Sequence, residues 1–380
     1  MRLKGFITAI AALLVLGGCS IEPPLHLRKA AATSVVLQTS VQAQFLWQVD
    51  WQAKWDYVWQ TSVYGPLGYS EPKGIRMHIY TLDDEQAPKS HNVYNFSGLQ
   101  GQVDIFVGVH DLLFHNNDSE VLLYRSEGDL QPIHAYTRVI SSGLKTSSLV
   151  QTAAQKAAAA TKAEDEEISE NVTFMPDELF VLYDPRHYIS DNLDDYEYID
   201  GQYVLRIQGD LLPRTYIYLF QIKLLNNLDR VTGSMGGAAL TGVADAVNLQ
   251  TGVTSNTTVS VPMDVHINKA DDPDLLGARV LTFGIPGCDP YDEASVSAAP
   301  SGKHYLVLNV TFATGKYKNI RIDVTDQVRA LPTGGVIPLE IDVNDFPPED
   351  VDPPIDEGGG GFQALIGDWN EEHGGTTIIY

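Results

Sequence analysis

The stretch that decides the fold runs from Val41 to Trp59 and reads VQAQFLWQVDWQAKWDYVW. Its odd-numbered positions are apolar, and most of its even-numbered positions are Gln, Asp or Lys. A period of two puts alternate side chains on opposite faces, which predicts a β-strand with one buried face rather than a helix. Because nineteen residues are long for a single strand, we expect a bend or break near residues 51–56.

The same alternation returns in shorter segments that are bounded by Gly, Pro, Asn or Asp. These segments are residues 75–79, 103–109, 179–183, 203–207, 216–222, 259–267, 305–312, 320–324 and 336–343. Many short strands with frequent turn residues, and little helical periodicity between them, predict an all-β fold built from β-sandwiches.

The N-terminus has the features of an export signal that ends in a lipid-attachment cysteine. Arg2 begins a short basic region, and residues 6–16 form an uninterrupted run of small and apolar residues. This run is too short to span a bilayer but has the length of a signal-peptide core. It leads into Leu16-Gly17-Gly18-Cys19, the pattern of a lipobox, so we expect Cys19 to be acylated and to hold the chain on a membrane.

Composition and length suggest how the remainder is organised. About 360 mature residues with 44% hydrophobic content are enough for two domains. We expect a signal peptide at 1–18, a lipid tether that can be cleaved off at 19–33, a first sandwich at 34–140, an Ala-rich and acidic linker or insertion at 141–172, a second sandwich at 173–345, a Pro/Gly-rich acidic tether at 346–361 and a strand hairpin at 362–380.

The terminal hairpin carries its own apolar residues behind the four glycines at 358–361. They are Phe362, Leu365, Ile366, Trp369, Ile378, Ile379 and Tyr380. A two-stranded hairpin is too small to be stable alone, so this tail must pack on a sheet. That sheet belongs either to a neighbouring subunit, as a donated strand, or to the chain itself.

Charge and motifs exclude several classes of function. The net charge of −24 disfavours nucleic acid as a partner, because phosphates would be repelled. The sequence contains no Gly-x-Ser-x-Gly, His-Glu-x-x-His or phosphate-binding glycine loop, so we expect neither an enzyme nor a cofactor. Cys288 lies in the turn-like segment Pro286-Gly287-Cys288-Asp289-Pro290 and is interpreted as a structural or incidental loop residue rather than a nucleophile.

Three further groups allow a binding interpretation beside a structural one. His110 and His115 with nearby Asp residues suggest a metal site, but solvated turn residues are the preferred interpretation, and we expect no metal. The acidic clusters near 191–195, 271–274 and 342–352 do not match a calcium-binding EF-hand loop and are interpreted as solvated loops. The tryptophans spaced by four from Trp47 to Trp59 are interpreted as core residues rather than a sugar-stacking platform.

A resemblance to a known family rests on the order of several short segments. They are the lipobox, Asp50-Trp51, the stretch from Gly101 to Asp118, Met175-Pro176-Asp177, Leu281-Thr282-Phe283-Gly284 and the stretch from Phe312 to Val328. Together they resemble the fimbrillin-like lipoproteins of Bacteroidales, with greater similarity to accessory or tip-like members than to a major stalk protein.

This resemblance implies a structural role at the cell surface. It implies two tandem transthyretin-like β-sandwich domains, an outer-membrane lipid anchor and assembly with other pilus subunits into a fimbrium that contributes to adhesion to a host or bacterial surface ligand. It also implies that a trypsin-like protease cuts near the mature N-terminus, where the matching basic residues are Arg28 and Lys29. The alternative is a surface lipoprotein of the same fold that binds a glycan or another ligand and does not polymerise.

Overall fold

The computed structural model describes residues 31–39, 59–83, 87–140, 170–200, 202–234, 237–269 and 273–351. In these ranges strands dominate, which confirms the predicted all-β fold. The strands are β1 (Ala31–Thr39), β2 (Ile75–Leu82), β3 (Pro88–Phe96), β4 (Gln100–Ile105), β5 (Gly108–Asn116), β6 (Leu123–Arg125), β7 (His134–Tyr136), β8 (Asn171–Val172), β9 (Phe180–Ile189), β10 (Glu197–Ile199), β11 (Gln202–Pro213), β12 (Tyr216–Leu225), β13 (Val231–Gly233), β14 (Ala238–Ala244), β15 (Ala246–Asn248), β16 (Thr258–Met263), β17 (Val265–Asn268), β18 (Asp274–Thr282), β19 (Tyr305–Phe312), β20 (Tyr317–Asp323) and β21 (Gly335–Asp342).

The helices are short and lie in the connections. They are α1 (Thr61–Tyr64), α2 (Glu293–Ala298), α3 (Thr325–Ala330), α4 (Pro348–Val351) and two 3₁₀ turns, Leu193–Asp195 and Val343–Asp345. Among the residues that the structure describes, no helix is both long enough and apolar enough to cross a bilayer.

The first sandwich is one eight-stranded sheet that divides into two halves. Its strand order is β3-β2-β5-β9-β11-β1-β4, and β10 also pairs with β11. Strands β9 and β11 are joined by only two residue pairs, at Val181–Leu212 and Phe180–Pro213. One apolar cluster contains side chains from both halves, among them Met77 of β2 and Ile207 of β11, so the halves face each other across a shared core.

The second sandwich packs the sheet β17-β18-β12-β21 against the sheet β13-β19-β14-β16-β8, with β20 added beside β19. Strand β12 lies at its centre, pairing antiparallel with β18 and parallel with β21. Tyr218 and Phe220 of β12 point into this core, whereas Ile217 and Leu219 belong to the cluster of the first sandwich. Strand β12 is therefore buried on both faces, which explains its nearly continuous apolar sequence.

The predicted division at 141–172 remains a prediction, because residues 141–169 lie outside the described ranges. Strands β9 and β11 come after residues 141–172 in the sequence, yet they belong to the same sheet as β1 to β5.

Three predicted strands need comment. Residues 259–267, predicted as one strand, form β16 and the start of β17, which lie in different sheets, so that prediction was wrong. Residues 103–109, predicted as one strand, form the end of β4 and the start of β5, so that prediction was wrong. Gly108 between them has a φ of 137°, a conformation that side-chain-bearing residues rarely adopt and that separates the two strands. The decisive stretch 41–59 lies outside the described residues except for Trp59, whose indole N–H donates to the Gly65 carbonyl at 2.9 Å.

A row of three histidines lies on the outer face of β2, β3 and β5, where the small sheet β15-β7-β6 and its connections cover them. The Nδ1 of His78 is 3.0 Å from His91 Nε2, and its Nε2 is 3.1 Å from His115 Nε2. His115 Nδ1 lies 2.7 Å from the carbonyl of Asn116, which can only accept, so this nitrogen carries the proton. His78 therefore donates from its Nε2 to His115 Nε2, and His91 donates from its Nε2 to His78 Nδ1.

Burial makes this row neutral at ordinary pH. Burial lowers the pKa of His78 to about 2, and the neighbouring His115 and His91 lower it further. Burial also lowers the pKa of His115 to about 4, against the opposing effect of its bond to the Asn116 carbonyl. The sequence suggested solvated turn residues at His110 and His115, but both are buried, so that interpretation was wrong.

The packing of β12 leads to a stability prediction. Phe220 is fully buried at the centre of the second sandwich, so Phe220→Ala should lower the free energy of unfolding by about 3–5 kcal/mol. Phe174→Ala removes a ring that is 43% exposed and should change it by less than about 1 kcal/mol. Urea unfolding of both variants measures the difference, and equal losses would contradict the double burial of β12.

The histidine row predicts a loss of stability in mild acid. Because the unfolded chain takes up protons near pH 6.5 and folded His115 only near pH 4, stability should fall as the pH drops through this window. His115 alone should contribute a loss of about 2 kcal/mol at pH 5. His115→Gln should flatten the pH dependence of urea unfolding, whereas His266→Gln, at an exposed histidine, should leave it as in the parent. A parent protein that is equally stable at pH 7 and pH 5 would contradict the neutral row.

Candidate strand-exchange site

Strand β1, the first described segment of the chain, is an inner strand of its sheet. It pairs in parallel with β11 from Ala32–Val204 to Thr39–Leu211, and antiparallel with β4 from Ala31–Ile105 to Val36–Gln100. Both edges of its backbone are therefore hydrogen-bonded, although the nearer partner follows it by more than sixty residues in sequence.

Strand β4 depends on β1 for its place in the sheet. Within the described residues, its only strand partner is β1. Val103 and Ile105 of β4 are nevertheless buried in the same cluster as Ile207 and Leu211 of β11. Because strands lie about 4.8 Å apart, β4 and β11 enclose a slot about 9.6 Å wide that one strand fills.

Two glycines next to β1 allow side chains from the sandwich to pack closely against the slot. Gly101 is opposite Val35, and a Cβ atom there would lie 2.1 Å from the ring of Phe96. Gly209 is opposite Leu37, and a Cβ atom there would lie 2.5 Å from Leu182. Both positions therefore require glycine for lack of space.

The site residues predicted from sequence lie outside the described ranges. They are Cys19, Arg28, Lys29, Phe362, Leu365, Ile366, Trp369, Ile378, Ile379 and Tyr380. The structure shows how close the basic pair lies to the first strand: β1 begins at Ala31, only two residues after Lys29.

A polar cavity of about 380 Å³ lies where the first sandwich meets β18 of the second. Arg279 of β18 binds Glu178 at 3.2 Å, and the second carboxylate oxygen of Glu178 accepts the Ser70 N–H at 2.8 Å. Burial raises the pKa of Glu178, opposed by the Ser70 N–H and by Arg279, and burial lowers the pKa of Arg279.

Other carboxylates of this cavity are also used to hold loops. One oxygen of Asp177 accepts from the Ser119 hydroxyl and from the N–H groups of Glu120 and Val121, at 2.8–2.9 Å. Asp118 accepts the N–H of Lys73 at 2.9 Å. These contacts join segments that are distant in sequence, so the geometry gives the cavity a structural role.

The side chains that suggested chemistry from sequence do not form a reactive site. Cys288 is buried, and burial raises the pKa of its thiol to about 11, which keeps it protonated. His110 donates from Nε2 to the Phe106 carbonyl at 2.7 Å, whereas His115 faces His78, so they do not share a ligand. Across the described ranges, no three His, Cys, Asp or Glu side chains are arranged to hold a metal ion.

Several solved structures are similar to this chain over most of its length, at low sequence identity. They include an adhesin candidate from Bacteroides ovatus, with 18% identity, 88% of this chain and 95% of that chain covered, and a TM-score of 0.48. The fimbrial anchor protein Mfa2 from Porphyromonas gingivalis has 13% identity, 82% and 90% coverage and a TM-score of 0.41. A fimbrial assembly protein from Parabacteroides distasonis has 7% identity, 81% and 90% coverage and a TM-score of 0.30. TM-scores below 0.5 are too low to transfer a function.

Comparison with curated proteins finds no match. A family described as a domain of unknown function, DUF5119, matches residues 64–264, a span that runs from α1 through β2 to β16 and covers more than half of the sequence. The chain therefore belongs to the DUF5119 family.

Proposed function

We propose that this protein is a fimbrial subunit, anchored to the outer membrane through Cys19, that assembles by strand addition and contributes to adhesion. The observation that carries the proposal is the position of β1, an N-terminal strand between two strands that do not otherwise meet. The lipobox and the family resemblance of the sequence support the location and the role.

Strand addition follows from the chemistry of an open slot. Removal of β1 leaves the backbone groups of β4 and β11 without partners along two facing edges. Unpaired strand edges bind another extended segment through main-chain hydrogen bonds, and side-chain pockets set its register. The buried side chains Ile105 and Leu211 supply an apolar surface beneath the incoming strand.

The position of β1 changes what cleavage at each basic residue would do. A cut after Arg28 or Lys29 separates the body from the acylated cysteine but leaves β1 attached. A cut that releases β1 has to fall after Thr39, and the first basic residue beyond it is Lys54. We therefore propose that cleavage at Arg28 or Lys29 detaches the subunit from its anchor and that opening of the slot requires a cut at Lys54.

The tail is the segment that we propose to be donated. The described chain ends at Val351, where the Thr314 hydroxyl donates to the Asp350 carbonyl at 2.6 Å and Lys316 Nζ to the Glu349 carbonyl at 2.5 Å. These contacts fix the exit point at the turn between β19 and β20. The acidic and glycine-rich residues that follow give the apolar positions from Phe362 to Tyr380 reach beyond the body.

The slot predicts that β1 can be replaced by a free strand. In a full chain with a protease site inserted after Thr39, cleavage should allow uptake of a labelled peptide with the sequence Ala31–Thr39, because β4 and β11 need a partner. The same peptide with Val35→Pro should not be taken up, since proline lacks the N–H that an inner strand donates.

Native gels with in-gel fluorescence report this uptake, and the uncleaved chain is the control for surface binding. Equal labelling of cleaved and uncleaved protein, or uptake of the proline peptide, would show that β1 does not occupy an exchangeable slot.

The tail predicts a separation between stability and assembly. Deletion of residues 362–380 should leave the melting temperature of the monomer unchanged and abolish polymers, because the tail packs on a neighbour. A milder pair, Ile378→Asp with Ile379→Asp, should have the same effect. A clear fall in melting temperature would instead show that the tail completes its own domain.

A further inference from the structure

Several large apolar side chains project into solvent at one end of the first sandwich. Their exposed fractions are 55% for Phe106, 60% for Tyr188, 66% for Tyr198 and 37% for Ile199. We call these four residues the aromatic end. The rest of the sandwich buries such residues in its core, so their exposure here points to a surface that makes contact with something else.

The hydrogen-bond register places this end where β1 begins. Asp104, Ala32, Val204 and Glu197 form one row across β4, β1, β11 and β10. Phe106 follows Ile105, which pairs with Ala31, the first residue of β1. Because neighbouring strands are about 4.8 Å apart, the four strands of this row span only about 14 Å.

The other two members of the aromatic end lie at the same rim. Tyr198 pairs with Tyr203 and Ile199 with Gln202 in the hairpin that closes β10 onto β11. The two tyrosine rings lie 5.0 Å apart. Tyr188 belongs to the facing half of the sandwich, where it pairs with Val109 beside the connection that carries Phe106.

The length of the preceding chain limits how far this rim can be from the lipid. Twelve residue steps separate Cys19 from Ala31, and a fully extended chain of that length spans at most about 40 Å. The end opposite the aromatic end continues through Pro213 into β12 and the second sandwich. An anchor at Cys19 therefore joins the body at the aromatic end, at most about 40 Å from the lipid, and the second sandwich lies beyond the opposite end.

Charge determines which bilayer surface would be accepted. Carboxylates accompany the aromatic end, including Asp104, Glu197 and Asp200, all of them exposed. Two basic side chains lie close by in sequence: Arg206 is paired with Glu197 at 3.2 Å, and exposed Arg186 precedes Tyr188 by two residues, so the carboxylates remain in excess. Tyrosine and phenylalanine favour the region between headgroups and acyl chains, whereas the carboxylates would be repelled by anionic lipids.

We propose that the aromatic end rests on a zwitterionic lipid surface, so that the anchored protein stands with its first sandwich on the membrane and its second sandwich outward. This inference rests on the proposed anchoring through Cys19. It adds to that proposal a second contact with the bilayer, which supplements the acyl chains and sets the orientation.

The test places a fluorescent probe at two positions of the acylated full-length protein. An NBD label is attached at Asp200→Cys, in the hairpin turn of the aromatic end, or at Ser301→Cys, an exposed loop of the second sandwich. The buried thiol of Cys288 should not react, which the unsubstituted parent checks. The proteins are reconstituted in phosphatidylcholine and phosphatidylethanolamine vesicles that contain a brominated lipid as quencher.

We expect loss of NBD emission at position 200 and none at position 301. The triple variant Phe106→Ser, Tyr188→Ser, Tyr198→Ser should still float with the vesicles but lose the quenching at 200. The matched variant Phe174→Ser, Leu228→Ser, Val253→Ser removes three exposed apolar side chains elsewhere and should keep it. Phosphatidylglycerol should weaken the quenching at low salt, and added salt should restore it.

The outcomes separate the two proposals. If the parent protein fails to float, anchoring through Cys19 is wrong and this inference falls with it. If the protein floats but position 200 stays unquenched, the aromatic end faces water or another partner and only this inference is overturned. Quenching that survives in the triple variant would also overturn it, because the aromatic side chains would then not make the contact.

Discussion

A strand of a sheet needs a hydrogen-bonded neighbour to hold it in place, and in the first sandwich β1 is that neighbour for two strands at once, the inner strand β11 and the edge strand β4. It joins β11 to β4, which share an apolar core but no backbone hydrogen bond of their own. An unpaired backbone group in such a place costs free energy comparable to a lost hydrogen bond. The integrity of this sheet therefore depends on a segment near the N-terminus.

Within the described residues, the second sandwich shows no comparable dependence on a terminal strand. Its central strand, β12, is buried on both faces and held between β18 and β21. The outer face of that strand also contributes to the cluster of the first sandwich. The Arg279–Glu178 pair and the hydrogen bond from the Tyr69 hydroxyl to the Thr215 carbonyl, at 2.5 Å, add polar links at the same junction. In the proposed strand exchange, the N-terminal strand would be replaced while the second sandwich keeps its packing.

This division suits the proposed role in a fimbrium. A polymer that grows by strand addition needs one site that is satisfied in the monomer and can be opened, together with a body that stays folded meanwhile. Because β1 pairs in parallel with β11 and antiparallel with β4, a strand that takes its place has to form one parallel and one antiparallel ladder. In the proposed arrangement, anchoring through Cys19 acts on the N-terminal side of β1, and opening of the slot at Lys54 acts on its C-terminal side.

Sequence reasoning predicted the strands where they are short and regularly alternating. Residues 305–312 coincide with β19, and the run at 216–222 lies within β12, because a period of two reports a pleated backbone directly. It failed at 103–109, where a turn centred on a glycine with positive φ divides an unbroken apolar alternation. It also placed His115 in a solvated turn, since nothing local shows that His78 and His91 on neighbouring strands will surround it.

By itself, then, the sequence determined the all-β class and the positions of most strands, and it predicts a signal peptide and a lipobox at Cys19, all from local patterns. Only the tertiary structure decided that β1 lies between β11 and β4, that Gly101 and Gly209 leave room beside it, and that Phe106, Tyr188 and Tyr198 gather at one rim. The reason is physical: strand order is set by burial and backbone pairing between segments up to about 170 residues apart, and alternation within each segment is the same whichever neighbour it finds.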